Sequence, residues 1–245
     1  MKELNNLIKA VAFDLIGTLI KIKDKEDEAL LNLYNVLRKF GFKKDFSLFK
    51  KVYNETALKY LDFRKKTEKE VHNKVWLKET LINLGFNKAF KEVLEESIKA
   101  YFKPYIESVE VPNEVYDVLS ILKKRYKIGL ISNFTDPQTV YEILRKRKLL
   151  NFFDSIVISG EIGWRKPNSI LFLKLATSLN LVAKEIVFVG DDPNYDVKGA
   201  KAAGMIAILI TQGAEVNSKY YEENEKPDYE IKNINEIVNL LKVID

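Results

Sequence analysis

The chain has 245 residues, a formal net charge of +5, 47% hydrophobic residues and no cysteine. That length suits one domain or a core with an insert, and the missing cysteines exclude disulfides and thiolate chemistry. No apolar stretch approaches the ~20 residues needed to span a bilayer, and residues 1–10 lack a signal-peptide apolar core, so a cytoplasmic protein without a membrane partner is expected.

The first predicted element is a strand ending in Val11-Ala12-Phe13-Asp14, a run apolar on both faces as in a parallel sheet. Asp14 falls at its carboxyl end, where open α/β sheets bind ligands, and Gly17-Thr18 turns the chain soon after. A carboxylate there suits a nucleophile or a metal ligand, and equally a turn-forming residue before glycine.

From Ile22 to about Tyr101 the texture is helical. Leu30, Leu33, Tyr34, Leu37 and Phe40 recur at three-four spacing up to Gly41; Phe49, Val52, Tyr53, Thr56 and Tyr60 form a second stripe. Val75, Leu77, Leu81 and Leu84 lead to Gly85, and a fourth helix is predicted over residues 90–101. No strand signal interrupts this block. It is basic: residues 1–105 hold 22 Lys and Arg against 15 Asp and Glu. Solvated helix faces explain this better than an anion-attracting surface, and no nucleic-acid recognition motif is visible, so no such partner is expected. His72, the sole histidine, reads as an ordinary helix residue without nearby ligands.

Beyond Pro104, short apolar runs alternate with helices, the signature of βαβ units. Helices are predicted over 113–125, 137–148, 168–179 and 195–203, with strands ending at Ser132, Ser159, Gly190 and Ile210. Residues 228–231 read as an edge strand, Ile234, Ile237, Val238 and Leu241 as the face of a closing helix, and 222–226 as a mobile surface segment.

Three later segments bear on Asp14. Ile128-Gly129-Leu130-Ile131 ends in Ser132-Asn133; Trp164-Arg165-Lys166-Pro167 puts a lysine before a helix start; Ile186-Val187-Phe188-Val189-Gly190 ends in Asp191-Asp192, with Asp196 following. Each alone has a plain reading as a turn or a cap. In order, nucleophile, hydroxyl, lysine and acidic cluster resemble the four signature motifs of the haloacid dehalogenase (HAD) superfamily. The resemblance implies an α/β fold with a Rossmann-like parallel sheet in a three-layer α/β/α core (residues 1–19 and 106–245), carrying an inserted helical cap (residues 20–105). It also implies catalytic roles for Asp14 and Lys166 and a phosphate cradle of Ser132, Asn133 and Lys166. Mg²⁺ would be held by Asp14, the backbone carbonyl of Ile16 and Asp191, with Asp192 and Asp196 supporting from behind these ligands.

Ile16 departs from the pattern, because most phosphatases of the superfamily have there a second Asp that protonates the leaving group. Losing general acid–base catalysis typically costs ~10²–10⁴ in rate, least for good leaving groups. The expected activity is a Mg²⁺-dependent phosphatase acting on a small anionic phosphorylated metabolite through an aspartyl-phosphate on Asp14. The alternatives are a metal-free 2-haloacid dehalogenase using the same Asp14, a phosphonate-cleaving relative, and a catalytically silent binding protein. The acidic cluster of Asp191, Asp192 and Asp196 argues for metal and phosphate. Monomer and homodimer stay open.

Overall fold

The structure is a computed structural model describing residues 8–88, 91–212 and 226–244. It opens on β1 (Ala10–Phe13), in which all four residues are buried. Val11 and Phe13 enter one hydrophobic core and Ala10 and Ala12 the other, so both faces of the strand are covered.

Four helices follow: α1 (Glu26–Lys39), α2 (Phe46–Thr67), α3 (Asn73–Asn83) and α4 (Lys91–Ser108). Glu26, Asp27 and Glu28 in the first turn of α1 and Arg38 and Lys39 in its last oppose the helix dipole. Asp45 caps α2 by accepting from Leu48 N, and α2 ends at Glu68 in a left-handed conformation (φ 56°). In this helical cap α1 packs on α4 and α2 on α3. Helix α4 runs through Pro104, beyond the predicted end at Tyr101. Proline removes one helical hydrogen bond, but Tyr101, Phe102, Pro104 and Ile106 are all buried, so packing of that face carries the helix onward.

The remaining chain alternates strands and helices: α5 (Asn113–Leu122), β2 (Lys127–Ser132), α6 (Pro137–Lys146), β3 (Ser155–Ile158), the short α7 (Ser159–Ile162), α8 (Ser169–Leu179), β4 (Ile186–Gly190), α9 (Lys198–Ala203), β5 (Ile206–Ile210), β6 (Tyr229–Ile231) and α10 (Glu236–Ile244). The six strands form one parallel sheet in the order β3-β2-β1-β4-β5-β6. Chain direction across the sheet reverses at β1, which puts a ligand crevice at the carboxyl end of that strand. Antiparallel pairing of Lys21 with Glu110 ties together the two passages between sheet and cap.

The helix predicted from Tyr195 begins differently. Residues Pro193–Val197 make one wide turn in which Val197 N donates to Asp192 O at 3.3 Å, and the regular helix starts at Lys198. Such widened turns are rare and cluster at functional sites. The segment expected to be mobile, 222–226, lies outside the described residues except for Lys226.

Candidate active site

Strand ends gather the site. Asp14 follows β1, Ser132 ends β2, and Asp191 follows β4; β2 and β4 flank β1 on either side. The Lys166 Nζ group, 2% exposed, donates to Asp14 Oδ1 at 2.5 Å and to Asp196 Oδ1 at 2.5 Å, with Ile131 O at 3.5 Å. All three ammonium directions are therefore occupied. Burial alone would lower this ammonium's pKa, but Asp14 and Asp196 outweigh it and hold the pKa above its usual value.

Asp196 sits tightly under the β4 end because Gly190 leaves room: a Cβ there would stand 2.3 Å from Asp196 Cβ. Its second oxygen, Oδ2, accepts from both Asp191 N and Asp192 N at 3.1 Å. Both Asp196 oxygens are engaged, so it fixes the lysine and the loop. Asp14 differs. Its Oδ2 is buried and has no hydrogen-bond partner. Burial pushes the Asp14 carboxyl up to about 7 against the opposing pull of Lys166, with Asp196 and Asp191 adding repulsion.

Asp191 is held by Thr18, whose Oγ1 donates to Asp191 Oδ1 at 3.0 Å. Gly17, at φ +98°, lets the chain pass so closely that a Cβ there would lie 2.2 Å from Asp191 Oδ2. Asp191 is itself exposed; partial desolvation of its carboxyl by the surrounding protein, then repulsion from Asp196, raises its pKa. Asp14, Asp191 and Asp196 each offer one oxygen within 4.8 Å of the others. Three carboxylates against one lysine leave net negative charge, and the donors not already engaged belong to Asp14 and Asp191. These hard oxygens fit a divalent cation such as Mg²⁺. No hydrogen bond among the described residues reaches the Ile16 carbonyl, so it too is uncommitted. The Ile16 side chain, 37% exposed, lines a cavity of about 550 Å³ together with Asp191, Lys21, Ile22, Pro193 and Gln212.

The remaining residues singled out by sequence behave unequally. Ser132 is buried, and its hydroxyl makes no hydrogen bond among the described residues. The Asn133 amide is committed elsewhere: its Oδ1 accepts from Lys166 N at 2.8 Å and its Nδ2 donates to Lys166 O at 3.2 Å. It grips the lysine's backbone at both ends of the amide, with one Nδ2–H still unengaged. Asp192 stands apart from the cluster and caps the wide turn, accepting from Asn194 N at 2.8 Å and Tyr195 N at 3.2 Å.

A seam between cap and sheet domain carries residues that sequence reasoning passed over. His72 is neither inside a helix nor alone. It caps α3, its Nδ1 accepting from Lys74 N, and its Nε2 lies 3.1 Å from Asp136 Oδ1. Because Nδ1 accepts, the neutral ring carries its proton on Nε2 and donates to Asp136. Glu70, whose side chain is 1% exposed, pairs through Oε1 with Arg64 Nε at 3.0 Å. Its Oε2 accepts from Ser159 Oγ at 2.6 Å, with Arg165 Nη1 at 3.6 Å. Beside it Glu68 O accepts from Arg165 N, Glu68 Oε2 accepts from Asn168 Nδ2 at 3.0 Å, and Lys69 bridges to Trp164. The loop bearing Lys166 is thus gripped by Asn133 on one side and by cap residues 68–70 on the other. The only local sign of this in the sequence is a polar break between two amphipathic stripes.

Comparison with known proteins accords with this arrangement. A family model for haloacid dehalogenase-like hydrolases matches residues 8–204. A glyceraldehyde 3-phosphate phosphatase of Methanopyrus kandleri is 26% identical over 242 residues, covering 96% of this chain and 98% of the relative. Another from Methanocaldococcus jannaschii is 27% identical with the same coverage. The crystal structure of a 2-haloacid dehalogenase from Pseudomonas syringae superposes with a TM-score of 0.77 at 23% identity, covering 98% of this chain and all of that one, a likeness of fold alone. With Asp14, Ser132 and Asp191 at neighbouring strand ends and Lys166 bound to Asp14, and with the family model matched over residues 8–204, the chain belongs to the haloacid dehalogenase-like hydrolases.

Proposed function

We propose that the protein is a Mg²⁺-dependent phosphatase of small phosphomonoesters that works through an aspartyl-phosphate on Asp14. One observation carries the reading: Asp14 Oδ1 is held by Lys166 while the buried Oδ2 has no partner, in a cluster where Asp14, Asp191 and Asp196 each offer an oxygen within 4.8 Å of the others. A carboxylate so placed is fixed in direction and lacks only a cation and an electrophile. Full-length relatives named as glyceraldehyde 3-phosphate phosphatases support a phosphorylated substrate of about three carbons.

In this reading Asp14, Asp191 and the Ile16 carbonyl would hold Mg²⁺, whose charge would offset that of the phosphoryl oxygens. Lys166 and the Ser132 hydroxyl donate to the phosphoryl group. Asp14 attacks phosphorus, the bond to the leaving oxygen breaks, and water then hydrolyses the acyl phosphate, dividing one hard displacement into two. Asp196 and Asn133 position Lys166 and touch no substrate. Ile16 supplies no proton, so an alkoxide leaving group takes its proton from water or from a group of its own. The helical cap, taken as residues 20–105 on a core of 1–19 and 106–245, closes over the phosphoryl site.

Ile16 also favours a second reading, a 2-haloacid dehalogenase in which Asp14 attacks carbon and expels halide. The crowding of Asp191 and Asp196 beside Asp14 opposes it, because a carboxylate substrate is repelled there. The test is release of phosphate from phenyl phosphate and of chloride from 2-chloropropionate, each with Mg²⁺ and with EDTA, using Asp14→Asn as control. Phosphate release that requires both Mg²⁺ and Asp14 is the expected result. Chloride release in EDTA, dependent on Asp14, would overturn it.

A further inference from the structure

Two cations are buried among the described residues, Lys166 at 2% exposure and Arg64 at 8%. The phosphatase reading uses the first and leaves the second unexplained. Arg64 lies in the last turn of α2, on the cap. Its Nε edge pairs with Glu70, and its guanidinium lies 5.5 Å from the centre of the Trp76 ring. None of its nitrogens has a hydrogen-bond partner among the described residues, the Nε contact with Glu70 being an ion pair, and the two terminal nitrogens, unlike Nε, are not sealed from solvent. A guanidinium presents donors in a rigid fork, so clamping one edge and one face aims the other end.

Its position follows from its ties. Glu70 connects it through Ser159 Oγ to Phe134 N, two residues past the end of β2. Just beyond the same helix end, Glu68 O accepts from Arg165 N, so this corner of the cap also holds the loop that carries Lys166. Arg64 is thereby tied to the loop that follows Ser132 and adjoins the contacts that hold the Lys166 loop, and Ser132 and Lys166 are the two groups assigned to the phosphate.

Building on the phosphatase reading, we infer that Arg64 is a specificity-determining residue whose terminal nitrogens bind a carboxylate or carbonyl oxygen at the end of the substrate remote from the phosphate. Glu70 and Trp76 preset its direction; Lys166 and Ser132 take the phosphate. The favoured ligand is a short phosphomonoester with an oxygen-rich far end, and one with a bare hydrocarbon end meets an unsatisfied guanidinium.

The test compares phosphoglycolate, which has a terminal carboxylate, with phenyl phosphate, which has no such oxygen. For Arg64→Met the loss in kcat/KM on phosphoglycolate should exceed the loss on phenyl phosphate by roughly 10- to 100-fold, as expected for hydrogen bonds to a charged group, and appear mainly in KM. Arg64→Lys should recover part of that difference. Equal losses on the two substrates would make Arg64 a structural residue and overturn the inference. Should Arg64→Met fold poorly, the same ratio is read from Arg64→Gln combined with Glu70→Gln, which removes both buried charges. A binding arm separates this inference from the reaction it rests on. Calorimetry in the Asp14→Asn background measures phosphoglycolate against inorganic phosphate, with and without Arg64→Met. A tenfold or greater loss confined to phosphoglycolate supports the site even if neither substrate is turned over, and parallel changes for both ligands refute it.

Discussion

Lys166 and Arg64 are both buried cations, yet they are held in opposite styles. Lys166 stands among groups delivered by the sheet: Asp14 after β1, Asp196 after β4, and the Ile131 carbonyl within β2. Every donor is paired, and the surrounding backbone is fixed by parallel strands. Arg64 hangs from a cap helix, is paired along one edge only, and reaches the sheet domain through Glu70 and Ser159. At these strand ends the lysine is fully paired, and Asp14 Oδ2 beside it is left without a partner. The seam joins cap and sheet domain, and the terminal nitrogens of Arg64 are left without a partner there among the described residues. On the inference drawn for Arg64, chemistry is fixed by the sheet and recognition falls to the cap.

Breaking the sheet-edge half should have the largest effect. Lys166→Met leaves the Asp14 and Asp196 carboxylates facing each other without a cation. Removing one preorganised donor to a developing anion costs ~10²–10³ in rate, and here the nucleophile also loses its orientation, so kcat should fall by about 10³-fold or more. Steady-state phosphate release checks this. A fall below tenfold would mean that Lys166 is structural.

Breaking the seam should act on stability before chemistry. Glu70→Gln leaves the Arg64 guanidinium buried without its counter-charge. Removing one partner of a buried pair costs about 3–5 kcal/mol, and the solvent contact of the terminal nitrogens places the expectation at the lower end. For a chain of this size that is a fall in Tm of roughly 6–12 °C. Thermal unfolding measures it, and a shift under 2 °C would show the pair to be an ordinary exposed bridge. The asymmetry with Lys166→Met is the informative result: large in rate there, large in Tm here.

The same division explains how much was legible before the structure. Asp14, Ser132 and Asp191 could be placed because a strand buried on both faces is a run of apolar residues, and its carboxyl end is where the run stops. The six-stranded parallel order follows the alternation of such runs with amphipathic helices. Asn133 could be located but not oriented: whether an amide faces ligand or backbone depends on Lys166, 33 residues away. The helix through Pro104 was hidden because a local breaker was outvoted by burial of Tyr101, Phe102 and Ile106. Arg64, Glu70 and His72 were invisible as a group. Charged residues crowd the first 105 positions, and what distinguishes these is contact with Ser159, Arg165 and Asp136, up to 95 residues distant in the chain. Periodicity reports which face of a helix is buried and is silent about which loop meets which.

The smallest expected effect concerns the metal-free sheet edge and its pH dependence. Burial holds Asp14 near 7 in the folded chain against 3.8 when unfolded, and Asp191 is raised for related reasons. Between those two values the folded state binds more protons than the unfolded state, so rising pH favours unfolding. The favourable contribution of protonated Asp14 is complete below about pH 4 and is lost as the pH climbs through about 7. Without metal, Tm should therefore decline from pH 5 to 7.5 by a few degrees, roughly 2–8 °C for one to two kcal/mol in a chain of this length. Asp14→Asn, which cannot ionise, should flatten most of that slope. Mg²⁺ should flatten it as well, because a divalent cation offsets the charge that makes ionised Asp14 costly, and its stabilisation should grow with pH. A metal-free slope unchanged by Asp14→Asn would place the titrating group elsewhere. Equal Mg²⁺ stabilisation at pH 5 and 7.5 would detach the cation from Asp14 and leave its unpartnered Oδ2 without the ligand assigned to it.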